Sequence, residues 1–221
     1  MFAQEIRTTG IPSGRVLVWD PLVRLSHWAL VAAFAIAYLS AEDEAGGPSA
    51  LHVWGGYVIG GIIVLRVVWG FVGPLHARFS DFVRGPFDTL RYMADLIAGR
   101  ARRCLGHSPA GGAMTIALLI CLAITVATGL IAYGERGKGP LANAVPVTIA
   151  AHADQGENEQ ATSSEGREKN GESVIGDLHA TFANISLGLI VLHIIGVGLA
   201  SLVHRENLVT AMITGSKRAE R

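Results

Sequence analysis

Four apolar segments, each long enough to cross a bilayer, are the feature that most constrains how this chain folds. A hydrocarbon core about 30 Å thick needs roughly 20 helical residues, and the predicted spans cover residues 21–40, 51–72, 112–133 and 178–204. Half of the 221 residues are hydrophobic and only 16% are charged, which is unusual for a soluble domain. The sequence therefore predicts one all-α domain, residues 1–221, folded as an integral membrane four-helix bundle.

Charges at the ends of these segments predict their direction. Residues 74–110 contain six arginines and a mildly amphipathic stretch around 87–97, which predicts an additional cytoplasmic surface helix between spans two and three. The loop between the first two spans is charged only by Glu42, Asp43 and Glu44. Loops rich in lysine and arginine stay in the cytoplasm. Both termini are therefore predicted to be cytoplasmic, and the polar segment 134–177 to be a long periplasmic loop.

The start of the first span predicts a retained helix and not a cleaved signal peptide. About twenty polar or mixed residues precede this span, and no small-residue cleavage site follows it. Asp20 followed by Pro21 is a helix start signal, because aspartate caps the first turn and proline suits the first helical position.

Charge balance and cysteine content narrow the classes of function. The formal net charge is zero, so we expect no nucleic-acid partner. Cys104 and Cys121 lie in different kinds of segment, which argues against a disulfide between them, and neither belongs to a Cys-x-x-Cys-His haem-attachment motif. Any haem in this chain is therefore expected to be held non-covalently.

Four histidines lie in or at the ends of the predicted spans, where such residues usually mark function. His179 and His193 are fourteen residues apart on the fourth span. That spacing keeps them within about 40° of one helix face but separates them by about 21 Å along the axis. They cannot share one metal ion. By depth in the predicted topology, His52 matches His179, and His27 matches His193.

Two imidazoles facing each other at one depth suit bis-histidine haem iron, a six-coordinate arrangement adapted to electron transfer. Mononuclear zinc or copper fits less well, because each pair lacks further ligands. One intramembrane histidine alone could instead hydrogen-bond across helices. Two depth-matched pairs favour two non-covalent haems b, with the four histidines as iron ligands.

The haem propionates need cationic or hydrogen-bonding partners, and two arginines are candidates. Arg66 lies fourteen residues after His52, at the depth of the His27/His193 pair, and Arg24 lies one turn before His27. The alternatives are that Arg66 extends to the inner surface and that Arg24 is a positively charged anchor of the span.

The sequence gives less support for a functional role of the remaining four histidines. His107, in Gly-His-Ser-Pro, is expected at a helix entry, and His152 is expected to be solvated in the polar loop. His76 and His204 lie at the predicted cytoplasmic boundary, where they could serve a quinone head group or proton uptake.

The chain resembles the prokaryotic cytochrome b561 family, which includes the b-type subunits of membrane nickel-iron hydrogenases. The resemblance covers nearly the whole sequence and rests on several short motifs. These are Trp19-Asp20-Pro21 with Ser26-His27-Trp28, Leu51-His52 with Gly55-Gly56-Tyr57, Arg66 with Trp69-Gly70-Phe71, His76-Ala77-Arg78-Phe79, Gly106-His107-Ser108-Pro109, Leu178-His179 with His193, and His204-Arg205-Glu206-Asn207. The glutamate-rich segment 134–177 departs from the family pattern.

The resemblance implies a four-helix bundle in a bacterial inner membrane that carries two haems b on spans one, two and four. It implies electron transfer between quinone or quinol and a periplasmic or membrane redox partner such as a hydrogenase, a c-type cytochrome or another dehydrogenase. One alternative is an enzyme that acts directly on superoxide as a superoxide:quinone oxidoreductase. The other is a non-redox membrane anchor or proton-relay bundle, which would lack a Soret band.

Overall fold

The computed structural model describes residues 14–41, 47–144 and 174–219. Two short strands, a 3-10 helix and seven α-helices follow one another in this part of the chain. In order they are β1 Arg15–Leu17, α1 Pro21–Leu39, α2 Ala50–Val72, a 3-10 helix Leu75–Ala77, α3 Phe79–Phe82, α4 Pro86–Ile97, α5 Pro109–Glu135, α6 Val174–Val203, α7 Leu208–Thr214 and β2 Ser216–Arg218.

Four of these helices, α1, α2, α5 and α6, are long and apolar enough to cross a membrane. The predicted all-α fold with four membrane-spanning helices is therefore confirmed. Asp20 caps α1 as predicted, because its carboxylate accepts hydrogen bonds from the backbone N–H groups of Leu22 and Val23 at 2.9 and 3.1 Å. The prediction for the loop 134–177 falls mostly on residues 145–173, which lie outside the described residues, as do Glu42, Asp43 and Glu44.

The third and fourth spans begin earlier than apolar length alone predicted. Helix α5 begins at Pro109, because Ser108 caps it by accepting a hydrogen bond from the Gly111 N–H at 3.1 Å. Helix α6 begins at Val174 and carries Asp177 in its first turn, where a negative charge is favourable. Polar capping residues fall below a hydropathy threshold, so the predicted spans were too short at these ends.

The surface helix predicted around residues 87–97 is present as α4, Pro86–Ile97. It buries Tyr92 and Leu96 against the rest of the chain. Phe87, Leu90 and Ile97 remain exposed. An amphipathic helix of this kind is suited to lie along a membrane surface.

The two-stranded sheet was not predicted. Strands β1 and β2 pair antiparallel, with Val16 opposite Lys217. Next to the sheet, the backbone N–H groups of Val18 and Trp19 donate to the Gly215 carbonyl. The sheet thus joins the segments that precede α1 and follow α7.

The chain divides into two compact units, and each of the four long helices contributes residues to both. The first unit comprises Met1–Val31, Val64–Ile116 and Val191–Arg221, and the second comprises Ala32–Ile63 and Ala117–Ile190. In the first unit, apolar side chains pack in one cluster beside the sheet. Its buried members are Val18, Trp19, Val23 and Ala77, with Val16, Trp69 and Met212 packed against them.

An ion pair in the first unit ties the segment before α5 to the segment after α6. Arg103 donates two hydrogen bonds to the Glu206 carboxylate, at 3.1 and 3.0 Å, and a third to the Arg218 carbonyl. The Glu206 side chain is only 8% exposed. Burial tends to raise the pKa of Glu206, but the hydrogen bonds from Arg103 and the Arg218 N–H outweigh it and hold that pKa below its ordinary value.

We predict that Glu206→Gln destabilises the protein at neutral pH by about 2 kcal/mol, because a charged hydrogen-bond acceptor is lost, or roughly 4–8 °C in apparent Tm. A lowered pKa contributes stability above the pKa of the unfolded chain, and this contribution is lost as pH falls through the folded-state pKa. The difference between wild type and variant should therefore shrink below about pH 4.5, the ordinary pKa. Thermal unfolding in detergent measures this difference.

Asp95→Asn is the matched control for this prediction, because Asp95 pairs with Arg100 at 3.3 Å in a largely exposed position. Exposed ion pairs contribute about 0–1 kcal/mol. An equal loss of stability in both variants would show that the buried Arg103–Glu206 pair stabilises the protein no more than an exposed ion pair does.

Candidate functional site

The four candidate histidines meet in two pairs, one inside each unit. In the first unit the ring centroids of His27 and His193 lie 6.4 Å apart. In the second unit the centroids of His52 and His179 lie 5.7 Å apart. The structure thus brings together the same partners that depth in the predicted topology had matched.

Backbone carbonyls orient both histidines of the second unit. Nδ1 of His52 lies 2.8 Å from the Ala37 carbonyl oxygen, and Nδ1 of His179 lies 2.9 Å from that of Thr125. A carbonyl oxygen only accepts, so each Nδ1 carries the proton and donates it. The other ring nitrogen, Nε2, is left with its lone pair free, as a metal ligand requires.

Two glycines allow these carbonyls to come within reach of the imidazoles. A Cβ on Gly55 of α2 would lie 2.9 Å from the Ala37 Cβ of α1, so the glycine lets the two helices approach closely. A Cβ on Gly129 of α5 would lie 2.8 Å from Cε1 and 3.0 Å from Nδ1 of His179. The His179 ring therefore rests directly on the backbone of α5.

The pair in the first unit has a different environment. The His27 ring meets the Trp28 ring edge to face at 5.3 Å. Nδ1 of His27 is buried, and within the described part of the chain it has no hydrogen-bond partner. His193 lies on α6 and faces His27. A buried, unsatisfied imidazole nitrogen is costly, and in this respect His27 differs from His52 and His179, whose Nδ1 atoms each have a carbonyl acceptor.

The spacing of both pairs fits a metal ion held between two imidazoles. Metal-to-nitrogen distances of about 2 Å on each side, together with the ring radii, place the centroids roughly 6 Å apart. Among the described residues, no group of three or more His, Cys, Asp or Glu side chains is placed to hold a metal ion. A metal at either pair therefore needs a group that brings its own ligands, and a porphyrin supplies four in one plane.

Two guanidinium groups with unsatisfied nitrogens lie in the first unit. Arg66 is 8% exposed and donates to the Ala77 carbonyl at 3.0 Å, while its second terminal nitrogen is buried and forms no hydrogen bond to any described residue. Arg24 donates to the Ile213 carbonyl at 2.7 Å, and its Nε is likewise buried with no hydrogen-bond partner in the described part of the chain. Both nitrogens are suited to an anionic group such as a propionate.

His107 lies just before α5, at a helix entry as predicted, but its packing was not predicted. It lies between two aromatic rings, with centroid distances of 4.6 Å to Trp19 and 4.3 Å to Phe82. The residue is partly exposed, but its Nδ1 is buried and has no hydrogen-bond partner among the residues that the structure describes. Burial lowers the pKa of His107 to about 3, and the nearby charges of Arg66 and Lys217 add to this effect. His107 is therefore neutral at physiological pH, and only the Gly-His-Ser-Pro motif pointed to it.

His76 and His204, the candidates for a quinone or proton role, each have a side-chain partner in the first unit. Nδ1 of His76 lies 3.1 Å from the Asp81 carboxylate, and Nε2 of His204 lies 3.2 Å from the Tyr92 hydroxyl. Burial, followed by the charge of Arg103, lowers the pKa of His204. His152 lies outside the described residues.

Comparison with known proteins gives one family match. The family model described as prokaryotic cytochrome b561 matches residues 18–215, which is most of the chain. The match includes all four paired histidines, both arginines and His107. No curated protein and no solved structure gives a significant match.

We predict that His107→Phe makes the stability of the protein less dependent on pH. Between the ordinary histidine pKa of 6.5 and about 3, the unfolded chain binds a proton at His107 that the folded chain does not. The contribution of His107 to the free energy of unfolding of the wild type therefore decreases as the pH falls from 6.5 to about 3. Thermal unfolding from pH 7 to pH 4 should give a shallower slope for the variant, and identical slopes would show that His107 titrates normally when folded.

Proposed function

The chain belongs to the prokaryotic cytochrome b561 family, and on that basis we propose that it carries electrons across the bacterial inner membrane as a di-haem b-type cytochrome. Membership in the family makes it a haem-binding membrane protein of electron transport. We propose in addition that the chain binds two haems, that four histidines are their ligands, and that both termini lie in the cytoplasm.

The observation that carries the proposal is the presence of two facing histidine pairs at metal-spanning distance, one in each unit. Centroid distances of 6.4 and 5.7 Å leave room for one iron between each pair of rings. We assign His27 and His193 to one haem and His52 and His179 to the other. Two imidazole ligands would leave no coordination position of the iron open, which would favour electron transfer over oxygen binding.

Other residues of the chain would hold and orient the porphyrin. The unpartnered nitrogens of Arg66 and Arg24 would donate to propionates of the haem in the first unit. In the second unit, Gly129 leaves room for the His179 ring, and thereby for its hydrogen bond to the Thr125 carbonyl. A bound haem supplies a reversible one-electron carrier, while the protein sets its position and electrostatic environment.

We further propose that the chain exchanges electrons between quinone or quinol and a periplasmic or membrane redox partner. A hydrogenase, a c-type cytochrome or another dehydrogenase has the required chemistry. The arginines of residues 74–110 and the acidic loop after α1 support an orientation with both termini in the cytoplasm. In this orientation the His52/His179 pair lies toward the periplasm, because His52 and His179 lie at the starts of spans that enter from that side.

We predict that the purified protein contains two haems b per chain by pyridine haemochrome assay. Alanine at either His27 or His193 should remove one of them, and alanine at either His52 or His179 should remove the other, so a variant with one change in each pair should contain none. His204→Ala is the matched control, and it should retain both haems because His204 hydrogen-bonds to Tyr92 instead of facing another imidazole. A colourless wild type, or a His27 variant with both haems, would refute the assignment.

A further inference from the structure

The two histidine pairs differ in what their second nitrogens contact, and this difference bears on redox potential. In the second unit both ligands donate Nδ1–H to a helix carbonyl, at 2.8 Å for His52 and 2.9 Å for His179. In the first unit Nδ1 of His27 is buried and has no hydrogen-bond partner in residues 14–41, 47–144 and 174–219. His193 makes a ring contact with His27 and no side-chain hydrogen bond to any described residue.

A hydrogen bond donated by an imidazole raises the basicity of its other nitrogen. A more basic axial ligand stabilises the more positive, oxidised iron, and so lowers the midpoint potential. The Ala37 carbonyl, which accepts the hydrogen bond from His52, is an especially strong acceptor. Ala37 lies in the last turn of α1, where helix carbonyls lack intrahelical donors and carry the negative end of the helix dipole.

Buried charge acts in the opposite direction in the first unit. Arg66 is 8% exposed and always charged, and under the proposed function it pairs with a propionate of the haem in this unit. A positive charge there favours the less positive, reduced form of the iron. Asp20 is the anionic group whose charge acts on Arg66. Its carboxylate accepts hydrogen bonds from the N–H groups of Leu22 and Val23 and from Nε1 of Trp69, which stabilise it as an anion.

We propose that the His52/His179 haem has a lower midpoint potential than the His27/His193 haem, and that Gly129 is a positioning residue for this difference. This inference rests on the proposed function. Gly129 acts through His179, because a side chain at this position would displace the ring from the Thr125 carbonyl. The carbonyl contacts of the second unit thus make its site electronically distinct from the site in the first unit.

Redox titration of variants that retain one haem tests the ordering. A variant with His27→Ala and His193→Ala keeps only the His52/His179 site, and a variant with His52→Ala and His179→Ala keeps only the other. The first should titrate at the lower potential, and each value should match one of the two waves of the wild type. Equal or reversed potentials would overturn the inference while leaving the di-haem function intact. A wild type with fewer than two haems would instead overturn the proposed function.

The role of Gly129 is tested separately with Gly129→Ala. Loss of the His179–Thr125 hydrogen bond should raise the potential of the lower wave and shift its low-spin electron paramagnetic resonance signal, with the upper wave unchanged. Gly188→Ala is the matched control, because it lies on the opposite face of α6 from His179, with open space around its Cβ position. An unchanged lower wave in Gly129→Ala would overturn the positioning role, and the titration of the single-haem variants does not depend on this substitution.

Discussion

An imidazole in an apolar span has two ring nitrogens, and each needs a hydrogen-bond partner or a metal ion. The two histidine pairs of this structure differ in how they provide these partners. In the second unit one nitrogen of each ring hydrogen-bonds to a helix carbonyl, and the two ring centroids lie 5.7 Å apart. In the first unit the rings face each other, but Nδ1 of His27 is buried without a partner in the described residues. Unsatisfied polar groups are costly in lipid, so the two pairs differ in how completely the polar atoms of their rings are satisfied by the chain itself.

The rest of each unit holds these rings in place. In the second unit, buried Ser186 donates to the Cys121 sulfur at 3.2 Å and lies 3.4 Å from the Thr125 hydroxyl, which links α5 to α6 beside the carbonyl that orients His179. In the first unit, the sheet and the Arg103–Glu206 pair fix the segments at both ends of the chain. Polar contacts therefore contribute to holding the segments around both histidine pairs.

Much of the fold followed from the sequence because apolar length and helix periodicity act locally. The fourteen-residue spacing of His179 and His193 placed them on one helix face at two different depths. The predicted direction of each helix then indicated which histidine lies opposite each of them. The carbonyls of Ala37 and Thr125 could not be predicted, since every residue has a carbonyl and only helix approach decides which one is reached. The β1–β2 sheet also escaped prediction, because three-residue strands at opposite ends of the chain leave no local pattern. The packing of His107 between Trp19 and Phe82 could not be predicted, because these two residues are distant from it in sequence.

The central claim is that two imidazoles occupy both axial positions of each iron. Electron paramagnetic resonance of the fully oxidised protein measures this most directly, because the spin state of ferric haem reports its axial ligands. We predict low-spin signals that account for two haems per chain, with no high-spin signal. A high-spin signal equivalent to one haem per chain would show an open or weakly held axial position, and would contradict the pairing at that site.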